Sequence, residues 1–264
     1  MIRYVFSTQF IGTNFAGSQK QANARTVQEE LEKAFSIFFR QNIKITLASR
    51  IDSGVHAREM IGHFDLRSEL SVRGLETTSE HEICRHFNGI LPNDIAILRF
   101  QETNERFHSR RDACLRTYKY RLRSYSQRFP LDESQVTYIA SPLNKNHLDD
   151  MAKFLVGEHD FTGLSKPADY KTRPICKVTE AYWEESSNHE TKDNLFTFTV
   201  SADHFLYNMI RIIVGTQIAI QNGKLPADSL EKALKYQDRS YAGFTASPTG
   251  LCLEKIKYPF QLFS

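Results

Sequence analysis

Residues Ser49 to Ala57 read S-R-I-D-S-G-V-H-A and place a carboxylate, Asp52, two positions after Arg50 and two before Gly54. A glycine at that spacing permits a tight turn, so Asp52 is expected on a rigid loop, where a carboxylate acts as nucleophile or acid. An Asp in a turn also serves a plainer purpose, capping its own backbone, and the residue types alone leave both readings open. His56 and His63 suggest a metal, but no third ligand has convincing spacing, so no metal site is expected. Two further features carry charge where binding or catalysis would use it. Between Arg106 and Arg128 the chain holds Arg106, Arg110, Arg111, Arg116, Lys119, Arg121, Arg123 and Arg128 against Asp112 alone, with Tyr118 and Tyr120 interleaved. Such a run is either a solvated surface or a nucleic-acid face, because phosphates attract Arg and Lys while unstacked bases attract aromatic planes. Arg211, inside the apolar segment F-L-Y-N-M-I-R-I-I-V-G, either snorkels or closes a structural ion pair, or else keeps a loop carboxylate ionised.

What is missing narrows the function further. There is no Walker loop, no G-x-G-x-x-G and no G-x-S-x-G, so phosphate-cofactor and serine-hydrolase readings have no motif behind them. Cys84, Cys114, Cys176 and Cys252 form no C-x-x-C pair, and reduced thiols in a cytoplasmic protein are expected. The opening residues lack the apolar run of a secretory signal, and F-L-Y-N-M-I-R-I-I-V-G-T-Q-I-A-I is short for a bilayer and contains Arg211, so a soluble chain with no membrane association is expected. The 264 residues, 41% apolar and 25% charged, suffice for one or two globular domains. A net charge of +3 leans weakly towards polyanionic partners, while acidic residues gather at Glu69 to Glu82 and Glu184 to Asp193.

These residues need elements to hold them. Alternation predicts strands over Arg3–Phe10, Ile43–Leu47, Met60–Leu66 and Ile95–Phe100, and Thr26 with Glu29 forms a capping box for a helix carrying Val27, Leu31, Ala34, Phe35 and Phe38. A second helix is expected near Ser79 to Phe87. Polar Asn104 and Glu105 mark a linker, giving a first domain over 1–103 with the Asp52 loop and a second over 104–264 with the tyrosines, the basic stretch and the Arg211 helix. In R-T-Y-K-Y-R-L-R, Tyr118, Tyr120 and Leu122 take one face of a strand, and Lys119, Arg121 and Arg123 the other. Asn146 is expected to cap a helix stopped by Gly157, and Lys166 to Pro174 reads as a loop. Phe196, Phe198 and Val200 form a strand, and Ser201 or Asp203 is expected to cap the long helix bearing Arg211 on a face with His204, Tyr207, Asn208 and Gly215. A helix over Asp228–Tyr236, a loop over Gly243–Gly250 and a strand over Leu251–Ile256 close the chain. Strand, helix, strand, strand, helix, strand thus occurs about twice, which favours two α+β units with mainly antiparallel sheets.

S-R-I-D-S-G-V-H-A resembles the R-T-D-A-G-V-H-A signature of the tRNA pseudouridine synthase A family. G-T-N-F-A-G-S-Q-K-Q with R-T-V-Q-E-E-L-E is similar to that family's N-terminal motif and helix, F-H-S-R-R-D-A with R-T-Y-K-Y-R to its middle motif, and F-L-Y-N-M-I-R-I-I-V-G with G-L-C-L to its C-terminal elements. The resemblance implies a pseudouridine synthase fold of two ferredoxin-like or RRM-like domains in a cytoplasmic homodimer. It implies isomerisation of uridine to pseudouridine at positions 38, 39 and 40 of the tRNA anticodon stem-loop, without cofactor or obligatory protein partner. The family's catalytic aspartate falls on Asp52, its active-site tyrosine on Tyr118 and its helix arginine on Arg211, with Arg50, Gln19, Arg25, Arg110, Arg111 and Arg116 expected to serve the RNA. The chain departs from the pattern at Ser18, where Trp is common, at Ile51 and Ser53, which replace Thr and Ala, and at Tyr207-Asn208, which replace a frequent His-His pair. An RNA-binding protein without activity, or a hydrolase releasing free uracil, are the competing classes.

Overall fold

A computed structural model describes residues 1–67, 79–124, 130, 134–167, 173–187 and 194–263. Arg128, most of the first acidic cluster, the end of the second and the middle of the Lys166–Pro174 loop lie outside the described residues. The chain forms two compact units, Met1–Cys114 with Leu253–Ser264, and Leu115–Cys252. The sequence reading places the boundary after residue 103, whereas residues 104–114 group with the first unit. Three fastenings explain this: Arg3 Nη1 donates to Phe107 O at 2.6 Å, Phe107 is buried, and Ser109 Oγ donates to Thr46 O at 2.9 Å. Among the described residues no helix is long and apolar enough to cross a membrane.

In the first unit, β1 (Ile2–Phe10) lies between β4 (Ile95–Thr103) and β3 (His56–Leu66), antiparallel to both, and β2 (Thr46–Leu47) adds to β3 at His63 and Gly62. Two helices supply the apolar cover. α1 (Val27–Phe39) starts where Thr26 accepts from the Glu29 N–H, and α2 (Glu80–Ile90) starts at a full capping box between Ser79 and Glu82. The helical spacing turns Phe35 and Phe39 onto the sheet, while half-buried Phe38 meets Phe87 and His86 of α2. Phe35 lies 5.0 Å from Phe6 and 5.1 Å from Phe64, and Phe87 of α2 lies 4.6 Å from Phe35. Tyr4 and Phe100 stack at 5.1 Å in the same cluster. Truncating a ring such as Phe64, 1% exposed, would cost about 3–5 kcal/mol. Leu253–Lys257 of β10 (Leu251–Lys257) return to this unit beside β3, where Arg58 pairs with Glu254 at 3.2 Å.

In the second unit the sheet runs β5 (Leu115–Ser124), β9 (Asn194–Ala202), β8 (Ile175–Ser187) and β7 (Gly157–Asp160), all neighbours antiparallel, with β6 (Thr137–Ile139) parallel to β5. Tyr118, Tyr120 and Leu122 are buried on β5 as the alternation predicts, but Arg116 and Arg123 are buried too, so neither face of the strand is simply solvated. β8 escaped the sequence reading because its register shifts between Val178 and Glu180, which breaks the apolar alternation. α3 (Lys145–Lys153) is capped by Asn144, whose side chain accepts from His147 N at 3.1 Å, not by Asn146, and it ends four residues before Gly157. Trp183 of β8 stacks on Phe198 and donates to Gln217 Oε1 of α4 (Met209–Gln221) at 3.2 Å. α5 (Ser229–Tyr236) follows.

α4 begins later than predicted. Neither Ser201 nor Asp203 caps it; residues 203–208 form a loop, and Asn208, at φ 59°, is the N-cap. His204 and Tyr207 therefore precede the helix, while Asn208, Arg211 and Gly215 do share a face. Loop backbone covers that face: the Phe244 carbonyl lies 1.9 Å from where a Cβ on Gly215 would sit, so no side chain fits there. The Ala246 N–H donates to Arg211 O at 3.0 Å.

Candidate active site

Asp52 stands in a turn closed by the Val55 N–H donating to Asp52 O at 3.2 Å, with Gly54 at φ 80°. The segment 15–18 straps this turn. Ser18 N–H donates to Ile51 O at 3.0 Å, Ile51 N–H donates to Ser18 Oγ at 2.8 Å, and Gly54 N–H and Ser53 Oγ both donate to Phe15 O at 3.2 and 3.1 Å. Gly17 makes the approach possible, because at φ 108° a Cβ would lie 2.7 Å from Ile51 O. Asp52 is half-buried, and Arg50 and Gln19 beside it are exposed. Buried His56 fixes the far end of the loop, its Nδ1 accepting from the Gly12 N–H at 3.0 Å. Among the described residues no three His, Cys, Asp or Glu side chains gather as a ligand set.

Arg25 has a different place from the one its motif suggested. Its guanidinium makes a two-pronged contact with Asp94 at 2.7 and 2.9 Å, reaches Glu30 at 3.3 Å and lies 4.2 Å over the Phe15 ring. The hydrogen bonds it donates to Asp94 raise its pKa further. It supports the residue that accepts the two Asp52-loop donors, Phe15, which makes it a brace of that loop.

The basic motif F-H-S-R-R-D is divided between anchors and presented cations. Ser109 is wholly buried: its N–H donates to His63 Nδ1 at 3.2 Å and its carbonyl accepts from Tyr258 OH at 2.5 Å. His63 Nδ1 also lies 2.9 Å from Ser109 Oγ, whose proton goes to Thr46 O. Burial, with Arg3 nearby, pushes the His63 pKa down to about 4, in keeping with a neutral ring. His108 Nδ1 accepts from both Arg110 N and Arg111 N at 3.3 Å, and Asp112 Oδ2 accepts from His108 N at 2.7 Å. The result is a tight turn that leaves Arg111 exposed and Arg110 half-buried.

In the second unit, Tyr118 is 7% exposed and its ring meets Phe205 edge-on at 5.2 Å. Arg116, on the same strand, donates to Asp203 O at 2.5 Å and so ties β5 to the loop that carries Phe205. Arg211 uses its planar fork: Nε donates to Ala246 O at 2.8 Å and Nη1 to Asn208 Oδ1 at 2.7 Å. Tyr120, buried, donates to Ser247 O at 2.7 Å and anchors the same loop; burial pushes its hydroxyl up to about 12, which suits a permanent donor. The sequence reading missed Ser18, Ser109, His63 and Asn208 as holders of these groups. For Asn208 a signal existed, since Asn directly before an apolar helical run both tolerates the left-handed conformation and serves as an N-cap.

Comparison with known proteins bears directly on these motifs. The family model described as tRNA pseudouridine synthase matches residues 151–259. tRNA pseudouridine synthase A of Bacteroides thetaiotaomicron is 36% identical over 265 residues, covering 100% of this chain and 93% of that protein. The chain belongs to the tRNA pseudouridine synthase A family. Its namesakes from Porphyromonas gingivalis, 35% identical with 100% of both chains covered, and Bacteroides fragilis, 34% identical with 99% and 98% covered, agree. The matched region takes in both units.

Proposed function

We propose that this tRNA pseudouridine synthase converts uridine to pseudouridine at positions 38, 39 and 40 of the anticodon stem-loop, with Asp52 as the reacting carboxylate and no cofactor. The observation that carries the reading is the turn at Asp52, held on both sides by main-chain hydrogen bonds to Phe15 and Ser18, in a chain similar over its whole length to synthases of this family. The reaction breaks C1′–N1, turns the uracil within the site, forms C1′–C5, removes the C5 proton and leaves a proton on N1. No electrons are exchanged and no group leaves, so one carboxylate and a means of holding the base suffice. Nucleophilic attack at C1′ of the sugar and at C6 of the base both require Asp52 ionised.

Arg211 is the cation we assign to keep that carboxylate ionised and oriented. Its fork, set by Ala246 and Asn208, supports the role because a guanidinium fixed at two points has a defined orientation. Tyr118 is assigned to stack on the target uracil and to assist C5 deprotonation. Arg50, Gln19, Arg110 and Arg111 contact the RNA, while Arg25 and Arg116 serve through the loops they hold. A target uridine paired or stacked in the anticodon arm must be extruded, at a cost of roughly a few kcal/mol offset by phosphate contacts and stacking.

Chain order β1-α1-β2-β3-α2-β4 supports a ferredoxin-like or RRM-like domain in the first unit, while the second unit, β5-β6-α3-β7-β8-β9-α4-α5, departs from the expected strand, helix, strand, strand, helix, strand, and its assignment to that domain type rests on the family resemblance. The cytoplasmic homodimer without further protein partners rests on the family resemblance. Tritium release from tRNA labelled at uracil C5 tests the reaction, since isomerisation displaces that hydrogen without freeing the base, and hydrolysis frees the base without displacing it. Release with the base still attached is the expected result, and free uracil would mean hydrolysis.

A further inference from the structure

Ser18, Ile51 and Ser53 meet in one small area of the first unit. Ser18 and Ile51 exchange two hydrogen bonds, N–H to carbonyl at 3.0 Å one way and N–H to hydroxyl at 2.8 Å the other. The Ser18 hydroxyl also donates to Ser49 O at 3.3 Å, so a single oxygen grips the main chain on both sides of Arg50. Beyond Asp52, Ser53 Oγ and Gly54 N–H share the Phe15 carbonyl. Asp52 is thus bracketed by two fasteners, both reaching back to the segment 15–18. Ser18 is 1% exposed and Ile51 6%, so water does not replace a lost hydroxyl there.

We propose that Ser18 is a positioning residue for Asp52: its hydroxyl fixes residues 49–51 and with them the direction in which the carboxylate leaves the loop. Ser53 is the lesser, exposed partner of the same clamp. This role rests on Asp52 being the reacting carboxylate, as proposed above. A carboxylate that must meet one atom of a flipped nucleoside tolerates little displacement, whereas tRNA affinity is distributed over many phosphate contacts elsewhere. Loss of the clamp therefore acts on turnover and spares binding.

The test compares the full-length wild type with Ser18→Ala, Ser53→Ala and Asp52→Asn, measuring tritium release under steady state, tRNA affinity by fluorescence anisotropy, and thermal melting. Ser18→Ala is expected to lower kcat about 10- to 100-fold with KM and Kd for tRNA within about twofold of wild type, on the scale of an ångström misplacement. A kcat within about twofold of wild type overturns the proposal, as does a loss that appears in KM and not in kcat. Should Ser18→Ala melt below the assay temperature, Ser53→Ala decides: its exposed position leaves folding intact, a several-fold fall in kcat at unchanged KM supports the clamp, and wild-type kcat overturns it. Asp52→Asn separates the two levels. An active Asp52→Asn removes the reading on which the proposal rests, whereas an inactive one beside a fully active Ser18→Ala removes the clamp alone.

Discussion

Arg211 holds Asn208 Oδ1 at 2.7 Å across the first turn of α4, and Asn208 is itself the left-handed residue that starts the helix. The side chain assigned to orient the carboxylate is therefore oriented by the residue that sets where its helix begins, while the Ala246 carbonyl fixes its other edge.

This arrangement predicts that charge alone is insufficient. Arg211→Lys keeps the cation, but one ammonium lacks the fork that reaches Ala246 and Asn208 together. Turnover is expected to fall roughly 100-fold or more with tRNA Kd little changed, and Arg211→Ala to fall further. A normal single-turnover rate for Arg211→Lys would remove the geometric part of the role.

Tyr118 separates ring from hydroxyl. Tyr118→Phe keeps the edge contact with Phe205 and deletes only the oxygen, so tRNA affinity should hold while turnover drops by about 10²- to 10⁴-fold, the usual range for a lost proton-transfer group. Tyr118→Leu should lose the stacking surface as well and weaken capture of the base. Equal, near-wild-type rates for Tyr118→Phe would leave the tyrosine with stacking alone.

His63 ties stability to pH. Its folded pKa, pushed down to about 4, lies below the ordinary 6.5, so between these values the unfolded chain binds more protons and stability rises with pH. The contribution is fully present above about 6.5 and is lost as pH falls towards 4, on the order of 2 kcal/mol between pH 7 and pH 5. Denaturant unfolding across that range should show the slope, and His63→Asn, which retains an acceptor for the Ser109 N–H but does not titrate, should flatten it. An unchanged slope in His63→Asn would place the pH dependence elsewhere.

Local patterns made much of this legible. The capping residue Thr26, the helical stripe of Val27, Leu31, Ala34 and Phe35 in α1 and the alternation of Tyr118, Tyr120 and Leu122 each reflect contacts within a few residues, and the structure places them as the periodicity requires. Long-range fastenings were not legible. Nothing near Ser18 in the chain announces that its hydroxyl meets Ile51, and Arg25 reads as an available cation until Asp94 is folded against it. Arg123 lies on the strand face that reads as charged and is nevertheless buried, as is Arg116 on the face of Tyr118. The bulge at Val178–Glu180 hid β8 for the opposite reason: one shifted residue removed a local pattern that the strand otherwise has.

The central claim is that Asp52 isomerises uridine in the anticodon arm, and carbodiimide-based pseudouridine mapping tests it most directly. An unmodified tRNA carrying uridines at 38, 39 and 40 is incubated with wild type and with Asp52→Asn. Signal at those positions with the wild type, and none with Asp52→Asn although it still binds the tRNA, is the predicted result. Signal that persists with Asp52→Asn, or its absence with wild type across several tRNAs that bind, would contradict the account.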